Sequence, residues 1–444
     1  MMKRKMGLPA RTAFVCLAAA SLTGCLDTAD EANENEAVES PFQVADKSDP
    51  DEGHDPVLES LAAAGDWELA HVQAELTNVA PPPQFDELSE SELDALTEQA
   101  ENDPAWYASD GERYEALYVT SEGVVYGRRG PAPEAKAPDA ANNYGSFEGA
   151  PAPAFNAHQP PPGGPGDRPD DFAVEGTGPV HVEIGTDSTN DIRGRQSSLA
   201  TLQSFPFRVV GAMSGNGNTG SSGCSGAKIA PRAVLTASHC VLTPAGAVQL
   251  NGFFNPGQTN TTTPNGSIAW NGVFLQDWRI HRKWDYAVVF LADSAAMVGL
   301  GHMGVTWWTS ATGYNGKHSA NAGYPCGPNG PANCGTIAVQ TCNDSPRADK
   351  RCDGWMYGSG AVLNTASFMA DDLLKFYNDL SKGHSGSPVW MNLTGGGAAV
   401  LAVATHSDGI GTDVMGPRFR QVMWDDVCSW IGMKPSTFGT HPCQ

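Results

Sequence analysis

The chain has 444 residues and a formal net charge of −23, from 27 Lys and Arg against 50 Asp and Glu. The imbalance is local: residues 1 to 183 carry 10 basic against 35 acidic side chains, and residues 184 to 444 carry 17 against 15. This length accommodates one domain of about 250 residues with a large extension, and the lack of a dense basic patch in either part argues against nucleic acid as a partner.

The first 25 residues, MMKRKMGLPARTAFVCLAAASLTGC, set Lys3, Arg4, Lys5 and Arg11 before a short apolar run, Thr12 to Leu22, that ends in small residues. This is the pattern of an export signal, too short to span a bilayer as a permanent helix. Leu22-Thr23-Gly24-Cys25 resembles the bacterial lipobox, which implies acylation of Cys25; a plain signal peptide cut near Ala20 is the alternative. Residues 26–54 are acidic and poor in large apolar side chains, so they read as a solvated tether.

Residues 55–130 look more structured and predict a small pro-domain. DPVLESLAAAGDWELAHVQAEL and FDELSESELDALTEQA carry helical apolar spacing, and RYEALYVTSEGVVYGRR reads as two short strands around Ser121-Glu122-Gly123. Residues 131–183 pile up proline, glycine and alanine, as in HQPPPGGPGDRPDD, and behave as a linker. From residue 184 to 444 short apolar runs (FRVVGAM, AKIAPRAVLTA, YAVVFLA, GAAVLAVAT) alternate with Gly, Asn, Thr and Ser, the texture of an all-β domain. RQVMWDDVCSWIG predicts one helix near its end.

Eight of the ten cysteines fall in the last 221 residues, an even number that supports up to four disulfides in an exported chain. A structural zinc site is the rival reading, but no Cys-x-x-Cys pair occurs, so no metal is expected. Loop closure favours neighbours such as Cys428 with Cys443.

A hydrolytic serine needs a base, a carboxylate that orients the base, and backbone donors for the developing oxyanion. VLTASHC puts His239 at the end of an apolar strand, KWDYAVVFL puts Asp285 at the head of another, and KGHSGSPVW puts Ser385 in a glycine turn before a third. Singly, each is also what a strand-end histidine or a turn residue looks like. The three together, 46 and then 100 residues apart, make a strong pattern.

These segments, over about residues 184 to 432, resemble the chymotrypsin-like serine proteases, and GHSGSPVW is closest to the form used by the bacterial glutamyl endopeptidase family. The resemblance implies two six-stranded antiparallel β-barrels with a C-terminal helix, here preceded by an acidic pro-region. It implies His239 as general base and acid, Asp285 as its orienter, Ser385 as nucleophile, the N–H groups of Gly383 and Ser385 as the oxyanion hole, and a Cys224–Cys240 disulfide beside the histidine. His384 stands where trypsins carry the aspartate that captures the new amino terminus, so that ion pair cannot form. VEIGTDS resembles the start of mature enzymes of the glutamyl family, which implies cleavage after Glu183 to free Ile184.

For the substrate pocket the resemblance places His406, in AVATHSDG, against an acidic P1 side chain. Asp379, Leu380 and Ser381 fall where the pocket wall is expected. Leu380 replaces the family's usual Ser or Thr, and Asp379 lies six residues before the serine, where trypsins keep the carboxylate that reads Arg or Lys. A preference for Arg or Lys therefore stays open beside one for Glu. Independently of any family, all 20 glutamates lie at or before Glu183, while residues 184 to 444 hold 15 aspartates and no glutamate. A protease that cuts after glutamate gains resistance to itself from this arrangement; a bias against carboxylates in strands does not explain why aspartate survives.

The expectation is an exported serine endopeptidase, made as a zymogen, that hydrolyses peptide bonds through an acyl-enzyme and needs no cofactor. The non-enzyme alternative is a surface-binding lipoprotein that has kept the barrel, against which the intact His239, Asp285 and Ser385 speak. Expected partners are protein or peptide substrates, with no nucleic acid and no membrane contact beyond a lipid at Cys25 before processing. The precursor is expected to be tethered at the outer membrane or cell surface, and the mature domain to be extracellular and monomeric.

Overall fold

The computed structural model describes residues 56–73, 90–132, 146–147, 194–195, 202–214, 224–250, 252–259, 262–293, 297, 299–308, 310–324, 356–363, 367, 372–376, 383–392, 397–407, 414–434 and 436. The N-terminal part forms a small module of two helices, α1 (Pro56–Ala64) and α2 (Glu90–Glu101), and three strands, β1 (Trp67–Val72), β2 (Ala116–Val119) and β3 (Val124–Arg128). The hairpin expected around Ser121-Glu122-Gly123 is β2 and β3, paired antiparallel from Ala116↔Arg128 to Val119↔Val125. One expectation is corrected: WELAHV, read with helical spacing, is strand β1. It pairs with β3 from Trp67↔Arg128 to Val72↔Val124, and a ready-made strand partner overrides weak local propensity.

After two short strands, β4 (Ser146–Phe147) and β5 (Gly194–Arg195), come β6 (Val210–Ser214), β7 (Cys224–Ala230), β8 (Ala233–Thr236), β9 (Phe253–Pro256), β10 (Ile268–Leu275) and β11 (Ala287–Leu291). They close a six-stranded antiparallel barrel in the order β6, β7, β8, β11, β10, β9 and back to β6. The runs AVLT and AVVFL are buried at every position, as strands covered on both faces must be.

The barrel does not stand alone, because β10 changes partner along its length. Ile268 and Ala269 pair with β9, whereas Val273, Phe274 and Leu275 pair with Val119, Tyr118 and Leu117 of β2. The switch falls at Gly272, whose φ of +121° lies where side chains are strained and where the register with β11 shifts. A Cβ there would come within 2.8 Å of the Tyr118 hydroxyl. The module's three strands thus extend the barrel sheet to nine strands.

The remaining strands are β12 (Gly304–Thr306), β13 (His318–Gly323), β14 (Tyr357–Val362), β15 (Leu373–Phe376), β16 (Pro388–Asn392), β17 (Ala398–Val403), β18 (His406–Ser407) and β19 (Val414–Pro417). Where a second six-stranded barrel was expected, the described residues form two sheets, ordered β4-β12-β17-β16-β13-β14-β5 and β15-β19-β18, and no pairing among them closes either sheet into a barrel. The β12–β17 pair is parallel, unlike its antiparallel neighbours.

The predicted C-terminal helix, α3 (Gln421–Met433), buries Met423, Trp424, Val427, Trp430 and Ile431, the spacing of a single apolar stripe. Trp430 stacks on Phe274 at 5.7 Å between ring centroids. Phe274 also stacks on Tyr118 at 4.3 Å and meets Trp67 and Phe290 edge-on at 5.5 and 5.7 Å. Each such pair adds about 0.5–1.5 kcal/mol beyond simple burial, so this one ring joins module, barrel and helix. Beside it the buried Asp426 carboxylate accepts from Arg128 Nη2 and Gln276 Nε2, each at 2.7 Å, and from the Tyr286 hydroxyl. Burial and that carboxylate push the Tyr286 phenol well above its ordinary value.

Lys228 on β7 is fully buried and donates to the Gly301 carbonyl at 2.7 Å, while Arg208 donates to the neighbouring Leu300 carbonyl at 2.8 Å. Burial, aided by the Arg208 charge, pushes the Lys228 ammonium from 10.5 down to about 7. Between those two values the unfolded chain holds a proton that the folded chain has released, so this residue makes stability rise with pH across that window. Lys228→Met removes the slope: in thermal unfolding the variant's stability relative to the wild type is highest at and below pH 7 and falls steadily toward pH 10.

Candidate active site

His239 and Asp285 are brought together by strand register. In the antiparallel β8–β11 pair Thr236 faces Ala287, so the residue three after Thr236 and the residue two before Ala287 emerge at the same end. A short 3-10 turn, Ser238–Cys240, holds the histidine, and another, Arg282–Trp284, delivers Asp285. The carboxylate then grips the histidine at two points: Oδ1 accepts the His239 backbone N–H at 2.9 Å, and Oδ2 lies 2.7 Å from Nδ1. Both residues are buried, His239 to 1% exposure and Asp285 to 0%. With Nδ1 donating to the carboxylate, the ring is fixed in the tautomer that leaves Nε2 as the basic nitrogen.

Ser385 lies in a turn whose shape is dictated from β7. The Ser225 N–H donates to the Ser385 carbonyl at 2.7 Å, and the Ser225 hydroxyl donates to the Gly383 carbonyl at 2.8 Å while accepting the Tyr324 N–H at 2.8 Å. Gly386, with φ +82°, donates its N–H to the Ala404 carbonyl at 2.7 Å. A Cβ on Gly386 would overlap the Ser225 carbonyl and the Thr236 hydroxyl and come within 3.0 Å of the Ala237 nitrogen. The serine turn is therefore pressed onto the strand end, Thr236, that leads three residues later to His239. Ser387 and Pro388 are held in turn by the Asn321 amide, at 2.7 Å to the Ser387 hydroxyl and 2.8 Å to the Pro388 carbonyl.

The Cys224–Cys240 bond is present and joins the residue before Ser225 to the residue after His239. It also bears on metal binding: Cys224, His239 and Cys240 are the one trio of metal-capable groups among the described residues, but both thiols are spent in the disulfide. Cys428 is disulfide-bonded as well, and Cys443 lies outside the described residues.

Trp278 walls the histidine from the other side. Its ring meets that of His239 edge-on at 6.2 Å, and its Nε1–H donates to the Leu242 carbonyl at 2.9 Å. The Ser238 hydroxyl, next to His239, donates to the Gln276 carbonyl. Ser225, Thr236, Trp278 and Asn321 were not singled out from sequence. Only Ser225, which directly follows Cys224, carried a signal that could have found it.

His406 lies on β18, its backbone paired with Met415. His384 is buried to 1% exposure. Asp379, Leu380, Ser381, Glu183, Ile184 and Cys25 lie outside the described residues.

Residues 195–417, half of the chain, match the family described as Trypsin. The chain is 25% identical over 243 residues to the glutamyl endopeptidase of Bacillus licheniformis, covering 53% of this chain and 66% of that protein, just under two thirds of its length. It is 23% identical over 256 residues to the extracellular metalloprotease of Bacillus subtilis, covering 56% and 69%. A solved Glu endopeptidase in complex with MPD is similar at 18% identity and a TM-score of 0.40, covering 53% of this chain and 94% of that one. On the match over residues 195–417, the chain belongs to the trypsin-like serine protease family.

Proposed function

We propose that the protein is an exported serine endopeptidase that cleaves after glutamate and is processed at Glu183. The observation that carries the reading is the two-point grip of Asp285 on His239, beside the serine turn held by Ser225. In this reading Ser385 Oγ attacks the scissile carbonyl carbon while His239 Nε2 takes its proton. The tetrahedral oxyanion is met by the N–H groups of Gly383 and Ser385. Collapse expels the amine, which receives the proton from His239. Water, deprotonated by the same nitrogen, then hydrolyses the acyl ester and frees the enzyme. Asp285 stays ionised throughout and stabilises the imidazolium.

Glutamate at P1 is supported by the name of the Bacillus licheniformis relative and, independently, by the absence of glutamate from residues 184 to 444. His406 is assigned to the P1 carboxylate, and Cys25 to a lipid on the precursor.

Asp285→Asn forces the wrong tautomer on His239 and lowers kcat by about 10⁴-fold, read with a chromogenic peptide, while the fold is retained. A fluorophosphonate probe labels Ser385 in the processed protein, and no label would remove the enzyme assignment. Profiling with peptide libraries finds cleavage after Glu; cleavage after Arg or Lys would give the pocket to Asp379 instead. Glu183→Gln slows the appearance of a mature chain starting at Ile184, followed by mass spectrometry of the N-terminus, and unchanged timing would assign the cut to another protease.

A further inference from the structure

Residues 56–130 meet the barrel and helix α3 through buried contacts. Arg128 reaches the buried Asp426 at 2.7 Å, with both side chains 1% exposed. Three backbone pairs join β2 to β10, and Gln73 exchanges two hydrogen bonds with the Val248 backbone, at 2.7 and 2.8 Å. Trp67 and Tyr118 complete the aromatic layer around Phe274.

A second set of contacts is aimed at the active site. Asp103 binds Arg279 at 2.9 Å and Arg113 binds Asp277 at 2.7 Å, while the Thr97 hydroxyl donates to the Arg279 carbonyl at 3.0 Å. Asp277 and Arg279 also pair with each other. Between them sits Trp278, whose ring borders His239, and Gln276, just before, accepts from Ser238. The module therefore holds both flanks of the residue that walls the histidine.

We propose that residues 56–130 remain on the protease as a non-covalent activating subunit after the linker is cut, anchored by Arg128 and positioning Trp278 through Asp103 and Arg113. Asp103 and Arg113 are positioning residues; neither meets substrate. The inference rests on the reading that the chain is cut before residue 194, and its test supplies that cut independently.

A recognition site for an unrelated protease is placed within residues 151–165 of the full-length chain carrying Ser385→Ala, so that no self-cleavage intervenes. After cutting, both fragments co-elute from a size-exclusion column in native buffer at the position of the uncut chain. Separate elution would overturn the proposal. With Arg128→Met added, the cut fragments separate; continued co-elution would overturn Arg128 as the anchor. In the chain with Ser385 intact, Asp103→Asn with Arg113→Met lowers kcat about tenfold, the scale of a small misplacement at the reacting centre, and leaves KM within about twofold. An unchanged kcat, with only the melting temperature lowered, would overturn the activating role. If Ser385 takes no fluorophosphonate label, the proposed function fails while the elution result still decides retention.

Discussion

The Asp426 carboxylate is the point on which the assembly turns. A carboxylate shut away from water is costly unless a cation and further donors meet it there, and removing one partner of such a pair costs about 3–5 kcal/mol. Here the helix α3 supplies the acid, the barrel supplies Gln276 and Tyr286, and the cation comes from Arg128, nearly 300 residues earlier in the chain. None of the three parts can be withdrawn without leaving a buried charge or donor unmatched. Around this polar centre the aromatic layer on Phe274 repeats the same three-way junction with apolar contacts.

The chemistry was more legible in the sequence than the assembly. Singly, His239, Asp285 and Ser385 are no more than a strand-end histidine and two turn residues; they became legible together, in their order and spacing. The Cys224–Cys240 pair was readable only through the family resemblance, and the structure contains it. Asp426 was not. In QVMWDDVCSW it looks like one of two acids on a helix, and only the arrival of Arg128 from the N-terminal module shows that it points inward. The apolar run of β10 likewise reads the same whether its outer edge faces water or a partner strand, so the docking of β2 had no local signature. WELAHV misled because a short amphipathic run fits either period, and the pairing with β3 decided it.

The carboxylates divide between the two parts in a way that the composition alone hinted at. The described ion pairs on the protease side use Asp277, Asp285, Asp293, Asp372 and Asp426 alone, whereas the module uses both acids, Asp103 and Asp110 beside Glu68 and Glu112. The charge needed for structure has been kept while one residue type has been left out.

The bond between Cys224 and Cys240 reaches further than one strand. Cys224 immediately precedes Ser225, whose amide and hydroxyl shape the Ser385 turn, and Cys240 immediately follows His239. One covalent link thus spans the two halves of the reaction centre, the base and the backbone template of the nucleophile. Such a bond persists in an oxidising environment and is rare where thiols are kept reduced; with it closed, the strand that templates the serine turn and the turn that carries the base are one covalent unit, so neither can shift without carrying the other.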